Sequence, residues 1–273
     1  MNKYFAELFS EQPKEIIDND YYYETDHEGD QFNETDEDLW LNRDGFKNNW
    51  NYGRNRENRR ADIFELYNNV TAKVAESGKP FMEIACGPGM GLSPMILQKN
   101  PKIPCLATDA CSRLIKAWRY YINNNLTEYD INLASFSVLN IPIKDNSLDY
   151  VTSAIGISST RNGESGKIQA LKEIFRILKP DGYFVAIESE WTDYEKIDEV
   201  FKLWGRDNWY EKNKDKISWH DKFISTGFQI ESEDKHYYRK LRKDDNELGE
   251  AADRYNIEIG LKFTLYVLRK VIL

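Results

Sequence analysis

The chain predicts an α/β fold built on a doubly wound, mostly parallel sheet, and three observations point to it. An apolar run ends in a glycine loop at Phe81-Met82-Glu83-Ile84-Ala85-Cys86-Gly87-Pro88-Gly89-Met90-Gly91. A second apolar run, Ile103 to Thr108, ends in Asp109. Strand-like and helix-like segments then alternate to about residue 190, the pattern of parallel βαβ units.

The elements follow in order. Residues 1–40 hold 13 Asp and Glu against Lys3 and Lys14, a net charge of −11. The whole chain of 273 residues carries only −9, so the rest is nearly neutral. The acidity therefore belongs to a leader, assigned with a lid segment to residues 1–56 and expected to be partly flexible. Its aromatic residues, Tyr21-Tyr22-Tyr23 among them, suggest that portions dock on the body. Ile63, Leu66, Tyr67, Val70 and Val74 keep helical spacing within 57–76, and Ser77-Gly78-Lys79-Pro80 stops that helix.

Strands are predicted near 80–85, 104–109, 132–138, 148–154 and 182–188. Ser93-Pro94 reads as an N-cap with proline in the first turn. Leu114, Trp118, Tyr121 and Ile122 share one face of a helix near 112–123, and Leu171, Ile174, Phe175 and Leu178 one face of 168–178. Lys179-Pro180-Asp181-Gly182 reads as a turn into the next strand. Residues 190–220 carry Trp191, Trp204, Trp209 and Trp219 among many charges and read as an aromatic-rich cap insertion. Gly227 to Ile230 and Phe263 to Leu268 then suggest two last strands forming an edge hairpin.

Composition excludes several classes. A near-neutral body lacks the basic surface that a phosphate backbone requires, which argues against nucleic acid as a partner. No apolar run approaches the roughly 20 residues that span a bilayer, and Met1 to Glu7 has no signal-peptide layout. Cys86, Cys105 and Cys111 form no CxxC pair, which suits buried thiols in a reducing cytoplasm. His27, His220 and His236 lie too far apart for ligand spacing, so no metal site is expected.

The chemistry concentrates at the glycine loop. Gly87 and Gly89, lacking Cβ atoms, let a ligand approach the backbone closely. A glycine loop after one strand and an acid ending the next is how doubly wound folds hold a ribose-bearing cofactor. A dinucleotide prefers a small residue three positions after Gly89, where this chain has Leu92. Glu83 is read as both steadying the loop and reaching toward the ligand. Most tryptophans (Trp40, Trp50, Trp191, Trp204, Trp209, Trp219) fall outside the motif-bearing core and either pack added segments or enclose a flat or cationic substrate. Tyr52 or Arg54 could close over the ligand as part of a lid.

Four motifs together resemble class I S-adenosylmethionine-dependent methyltransferases, especially the broad small-molecule group. They are Glu83-x-Ala85-Cys86-Gly87-x-Gly89-x-Gly91, with Ala85 in place of the usual glycine; Thr108-Asp109-Ala110; Leu139 to Val151; and Leu171 to Gly182. They cover about residues 80–190 in the family's order. The resemblance implies a Rossmann-like seven-stranded sheet with an antiparallel last strand, in a methyltransferase domain over 57–273. It implies S-adenosyl-L-methionine as cofactor, with S-adenosyl-L-homocysteine as product. It places the methionine part over Gly87 and Gly89, with Glu83 close by. The ribose falls at Asp109, the adenine at Ser137 and Val138, and the sulfonium at Ala154, with Ala85 and Ala110 also among the cofactor-binding residues. The acceptor is expected to be a small molecule. Glu188, Glu190 and His220 lie where substrate-side groups could sit, but no catalytic residue, acceptor or oligomeric state is assigned. An NAD(P)-dependent oxidoreductase and a non-catalytic cofactor-binding module of the same fold stay open as alternatives.

Overall fold

The side chains of the central strands alternate between two apolar layers, and this alternation organises the molecule. The computed structural model describes residues 1–23, 46–47, 50–51, 61–158, 160, 162–208, 214–243 and 247–271. Phe81, Cys105, Ala107, Leu133, Val185 and Ile187 face one layer. Met82, Leu106, Ala134, Phe184 and Ala186 face the other. Strands buried on both faces are what parallel sheets with flanking helices produce.

The strands are β1 (Glu15–Ile17), β2 (Asp20–Tyr22), β3 (Phe81–Glu83), β4 (Cys105–Asp109) and β5 (Ile131–Ser135), then β6 (Leu148–Ala154), β7 (Leu178–Trp191), β8 (Phe228–Lys240) and β9 (Gly260–Lys270). They form one sheet of order β1-β2-β5-β4-β3-β6-β7-β9-β8. From β5 to β7 the pairing is parallel, and β9 runs antiparallel to both β7 and β8. The predicted seven strands and antiparallel last strand are thus present.

Two further strands correct the prediction. β1 and β2 form a hairpin whose second strand lies parallel to β5, pairing Tyr21 with Ala134 and Tyr22 with Ser135. The turn residues Asp18 and Asn19 both have positive φ, 51° and 67°, the geometry that matches the twist of a two-residue hairpin. Asp20 is fully buried and ion-paired with Arg119 at 2.6 Å.

Helices cover both faces. On the first lie α2 (Ala61–Ser77), α3 (Ser93–Lys99) and α4 (Ser112–Asn125), with Val74, Ile96, Leu97, Leu114 and Ile115 in the apolar layer. On the second lie α1 (Lys3–Ala6), α5 (Gly163–Ile177) and α7 (Trp219–Thr226), contributing Phe5, Leu171, Ile174 and Phe223. A third cluster joins α6 (Tyr194–Trp204) to α8 (Glu247–Arg254) through Ile197, Val200, Phe201, Leu248 and Ala252. α6 follows the far end of β7, on the edge where the carboxyl ends of the parallel strands gather.

Local details also differ from expectation. Leu92, not Ser93, caps α3, and Ser93 is helical with its hydroxyl 3.4 Å from the Cys105 sulfur. Lys179 to Gly182 is an irregularity within β7 rather than a separate turn, because Tyr150 pairs with Tyr183 while Leu148 pairs with Leu178. Trp50, Trp118 and Trp219 are all buried in the cores, the packing role. Trp40, Tyr52, Arg54 and Trp209 lie outside the described residues.

Candidate functional site

Four parallel strands end side by side, and the residues singled out in the sequence gather at those ends. Glu83 closes β3, Asp109 β4 and Ala154 β6, while Ser137 and Val138 follow β5 by two and three residues. Ala85, Gly87, Gly89, Asp109, Ala110, Val138 and Ala154 are each half-buried along this edge, whereas Glu83 and Ser137 are buried.

The loop after β3 is held at several points. Ile84 N donates to the Thr152 carbonyl at 3.0 Å and Cys86 N to that of Thr108 at 2.9 Å. Ala85, Gly87, Met90 and Gly91 all have positive φ, between 49° and 57°. For Ala85 and Met90 such a backbone costs about 1–2 kcal/mol each, and strain of this kind persists only where surrounding contacts over-determine the conformation. At Gly87 and Gly89 an added Cβ would meet nothing within 4 Å, so the loop's outer side is open.

Asp109 ties this loop to the next strand. Its Oδ2 accepts from Gly87 N and its Oδ1 from Cys111 N, both at 2.9 Å. The Trp118 indole N–H donates to the Gly87 carbonyl at 3.0 Å. Gly87 is therefore gripped at both ends of its residue, by an acid from β4 and a ring from α4. Sequence reasoning placed Trp118 in the core but missed this contact, because nothing in the spacing of residues 31 positions apart announces it.

Glu83 lies beneath the loop. Its carboxyl accepts the Thr152 hydroxyl. Burial nevertheless pushes its pKa up to about 8, because a charge in an apolar interior loses its hydration. A Cβ at Gly91 would stand 1.8 Å from the Glu83 Oε1, so glycine is required there by space as well as by φ. Ser137 uses its hydroxyl to accept from Leu139 N at 3.2 Å, which turns the chain away from β5 sooner than the predicted strand end at 138.

Just past the end of β6, Ile155 has φ 65° and donates its N–H to the Ile187 carbonyl at 2.7 Å. A β-branched residue in that region is a true outlier. Ala154, Ile155 and Trp191 pack against the same apolar layer as Leu261, Phe263 and Leu265. Glu188 is buried behind this turn, accepting from Ser158 N at 2.9 Å and from the Ser158 hydroxyl. Glu190 pairs with Lys262 at 3.5 Å. His220 pairs with Glu233 at 2.8 Å, so it is joined to β8.

The start of α3 is poorly equipped for phosphate. Ser93 N is spent on the Met90 carbonyl and Met95 N on that of Leu92, and Pro94 has no N–H. Leu92 is buried in the core. A dinucleotide's pyrophosphate needs free N–H groups at that position. Among the described residues no group of three or more His, Cys, Asp or Glu could hold a metal, and no helix is long and apolar enough to cross a membrane.

Residues 82–186 match the family model described as methyltransferase domain. Demethylmenaquinone methyltransferase of Staphylococcus haemolyticus is 30% identical over 96 residues, covering 33% of this chain and 38% of the relative. The enzyme of that name from Listeria monocytogenes is 25% identical over 134 residues, or 48% and 53%. The chain thus spans about a third to a half of these relatives. Among solved structures, a Bacillus halodurans protein assigned as a methyltransferase gives a TM-score of 0.54 at 16% identity, over 74% of this chain and 99% of its own. The [4+2]-cyclase SpnF gives 0.51 at 14%, over 76% and 81%. These likenesses show a shared Rossmann-like fold.

Proposed function

We propose that the protein is an S-adenosylmethionine-dependent methyltransferase acting on a small-molecule acceptor. The observation that supports it most is the Asp109–Gly87 arrangement: a carboxylate at one strand's end, hydrogen-bonded to an open glycine turn at its neighbour's. The matching of residues 82–186 to the methyltransferase domain supports the same reading. Fold alone would not suffice, since one fold hosts several chemistries.

The residues present fit the cofactor. Asp109 supplies acceptor oxygens for ribose hydroxyls, and Gly87 and Gly89 leave room for the amino-acid part, with Ala85 beside them. Ser137 and Val138 would border the adenine, Ala110 would stand at the cofactor beside Asp109, and Ala154 would lie toward the sulfur. When bound, the cofactor supplies a methyl group on a positively charged sulfur, already activated for displacement. The protein's task is then to orient the acceptor and exclude water, which can lower the barrier by roughly 7–11 kcal/mol. Ile155, Trp191 and Phe263 would form the apolar wall that does so. That wall supports an acceptor with substantial apolar surface, a property in keeping with relatives named for demethylmenaquinone. A reducing cytoplasmic location is supported by the three free, buried cysteines.

Thermal shift with S-adenosylhomocysteine and with NAD tests the reading. The nucleoside product at about 100 times its Kd should add about 2.7 kcal/mol of stability and raise Tm by several degrees. NAD should not. Stabilisation by NAD alone would refute the proposal.

A further inference from the structure

We propose that Glu188 is a positioning residue that fixes the Ile155–Ser158 turn, the turn that closes one side of the cofactor crevice. What the crevice binds rests on the reading just given; the holding of the turn does not.

Parity along β7 places Glu188 behind the turn. Phe184 and Ala186 face the layer of α5 and α7, and Glu188 shares their side because side chains alternate along a strand. It is 1% exposed. Ser158 gives it both a backbone and a hydroxyl hydrogen bond, and the Ser158 oxygen accepts in turn from Ser189 N at 3.1 Å. The far end of the turn is pinned to the same strand by Ile155 N on the Ile187 carbonyl, 2.7 Å. The turn is therefore stapled to β7 at both ends.

Between the staples lies Gly156, pressed on the cofactor loop. A Cβ there would stand 2.7 Å from the Ala85 methyl and 3.1 Å from the Ile84 carbonyl. The path from Glu188 to the glycine loop is continuous: acid to Ser158, turn to Gly156, Gly156 to Ala85. Ile155, held at φ 65°, needs such fastening, because a strained backbone relaxes when its contacts are removed. Without Glu188, the turn loses its fixed distance from Ala85, and the crevice loses the shape that a tight ligand fit requires.

The test compares E188A, E188Q and S158A with the unaltered 273-residue chain. Glutamine keeps an acceptor for Ser158 N and alanine does not. Amide exchange at Ser158 and Ile155, measured without ligand, should quicken by at least about tenfold in E188A and stay within about twofold in E188Q. S158A keeps the backbone bond and should fall between them. Affinity for S-adenosylhomocysteine, measured by calorimetry, should fall about tenfold in E188A and recover in E188Q, with Tm recorded to show that each variant is folded. Unchanged exchange in E188A, or equal loss in E188A and E188Q, would overturn the proposal. If the unaltered protein fails to bind the nucleoside, the methyltransferase reading falls while exchange at Ser158 still decides the role of Glu188.

Discussion

The Ala85 methyl, with the Ser153 hydroxyl, fills the space that a side chain at Gly156 would need, the two loops meeting where the paired strands β3 and β6 end. Ala85 holds a left-handed backbone, φ 49°, where the resemblance anticipates glycine. Gly156→Ala should therefore destabilise the protein by about 1–3 kcal/mol through overpacking. Adding Ala85→Gly should recover part of the loss, seen as non-additivity in a double-mutant cycle of denaturant unfolding. Additive effects would show that the two positions do not sense each other.

Asp109→Ala removes the acceptor for two backbone N–H groups. It should weaken S-adenosylhomocysteine binding at least about tenfold, since hydrogen bonds to a charged group contribute about 1.5–3 kcal/mol each. The fold should survive, because the residue is half-buried at the rim. Calorimetry showing unaltered affinity would remove Asp109 from the ribose site.

Trp118→Phe separates packing from hydrogen bonding. The ring's edge-on contacts with Phe46 and Tyr121 are kept in large part, while the Gly87 carbonyl loses its donor. A loss of about 1 kcal/mol in unfolding free energy is expected, together with a measurable fall in nucleoside affinity. A loss of stability with affinity intact would confine Trp118 to the core.

Two buried acids set the pH dependence of stability. Burial raises Glu83 from 4.5 to about 8 and Glu188 from 4.5 to about 7, so the folded state holds protons that the unfolded chain releases. Their contribution is complete below about pH 4.5 and is lost as pH rises through 7 and 8. Asp149, Glu164 and Glu231 are shifted downward despite partial burial, held by lysine partners and, for Glu164, by backbone N–H groups. Their contribution is lost instead on acidification. Denaturant unfolding should show greatest stability near the ordinary carboxylate range and a decline toward pH 8. The double variant E83Q/E188Q should flatten that decline, and an unchanged slope would assign it to other groups.

The glycine loop and Asp109 were legible because positive φ and close approach leave a mark on residue type. The parallel core was legible because strands buried on both faces read as continuous apolar runs. The hairpin at Asp18-Asn19 was hidden by the acidity around it and by strands only three residues long. The grip of Trp118 on Gly87 was not legible, since it joins an element's middle to a distant loop. Glu188 is a different case. Strand alternation counted from Phe184 is enough to put it on the face that carries Phe184 and Ala186, so its side of the sheet was written in the residue order while its partner Ser158 was not.

Docking of β2 beside β5 has a consequence for the molecule's margin. A bare strand there would offer unpaired N–H and C=O groups to any passing chain, and β1–β2 covers them with a short ribbon rich in negative charge. Asp20 anchors that ribbon from underneath, on Arg119 of α4. The opening stretch is thus a selvedge that keeps the woven sheet from fraying, rather than a tail that could be trimmed without cost.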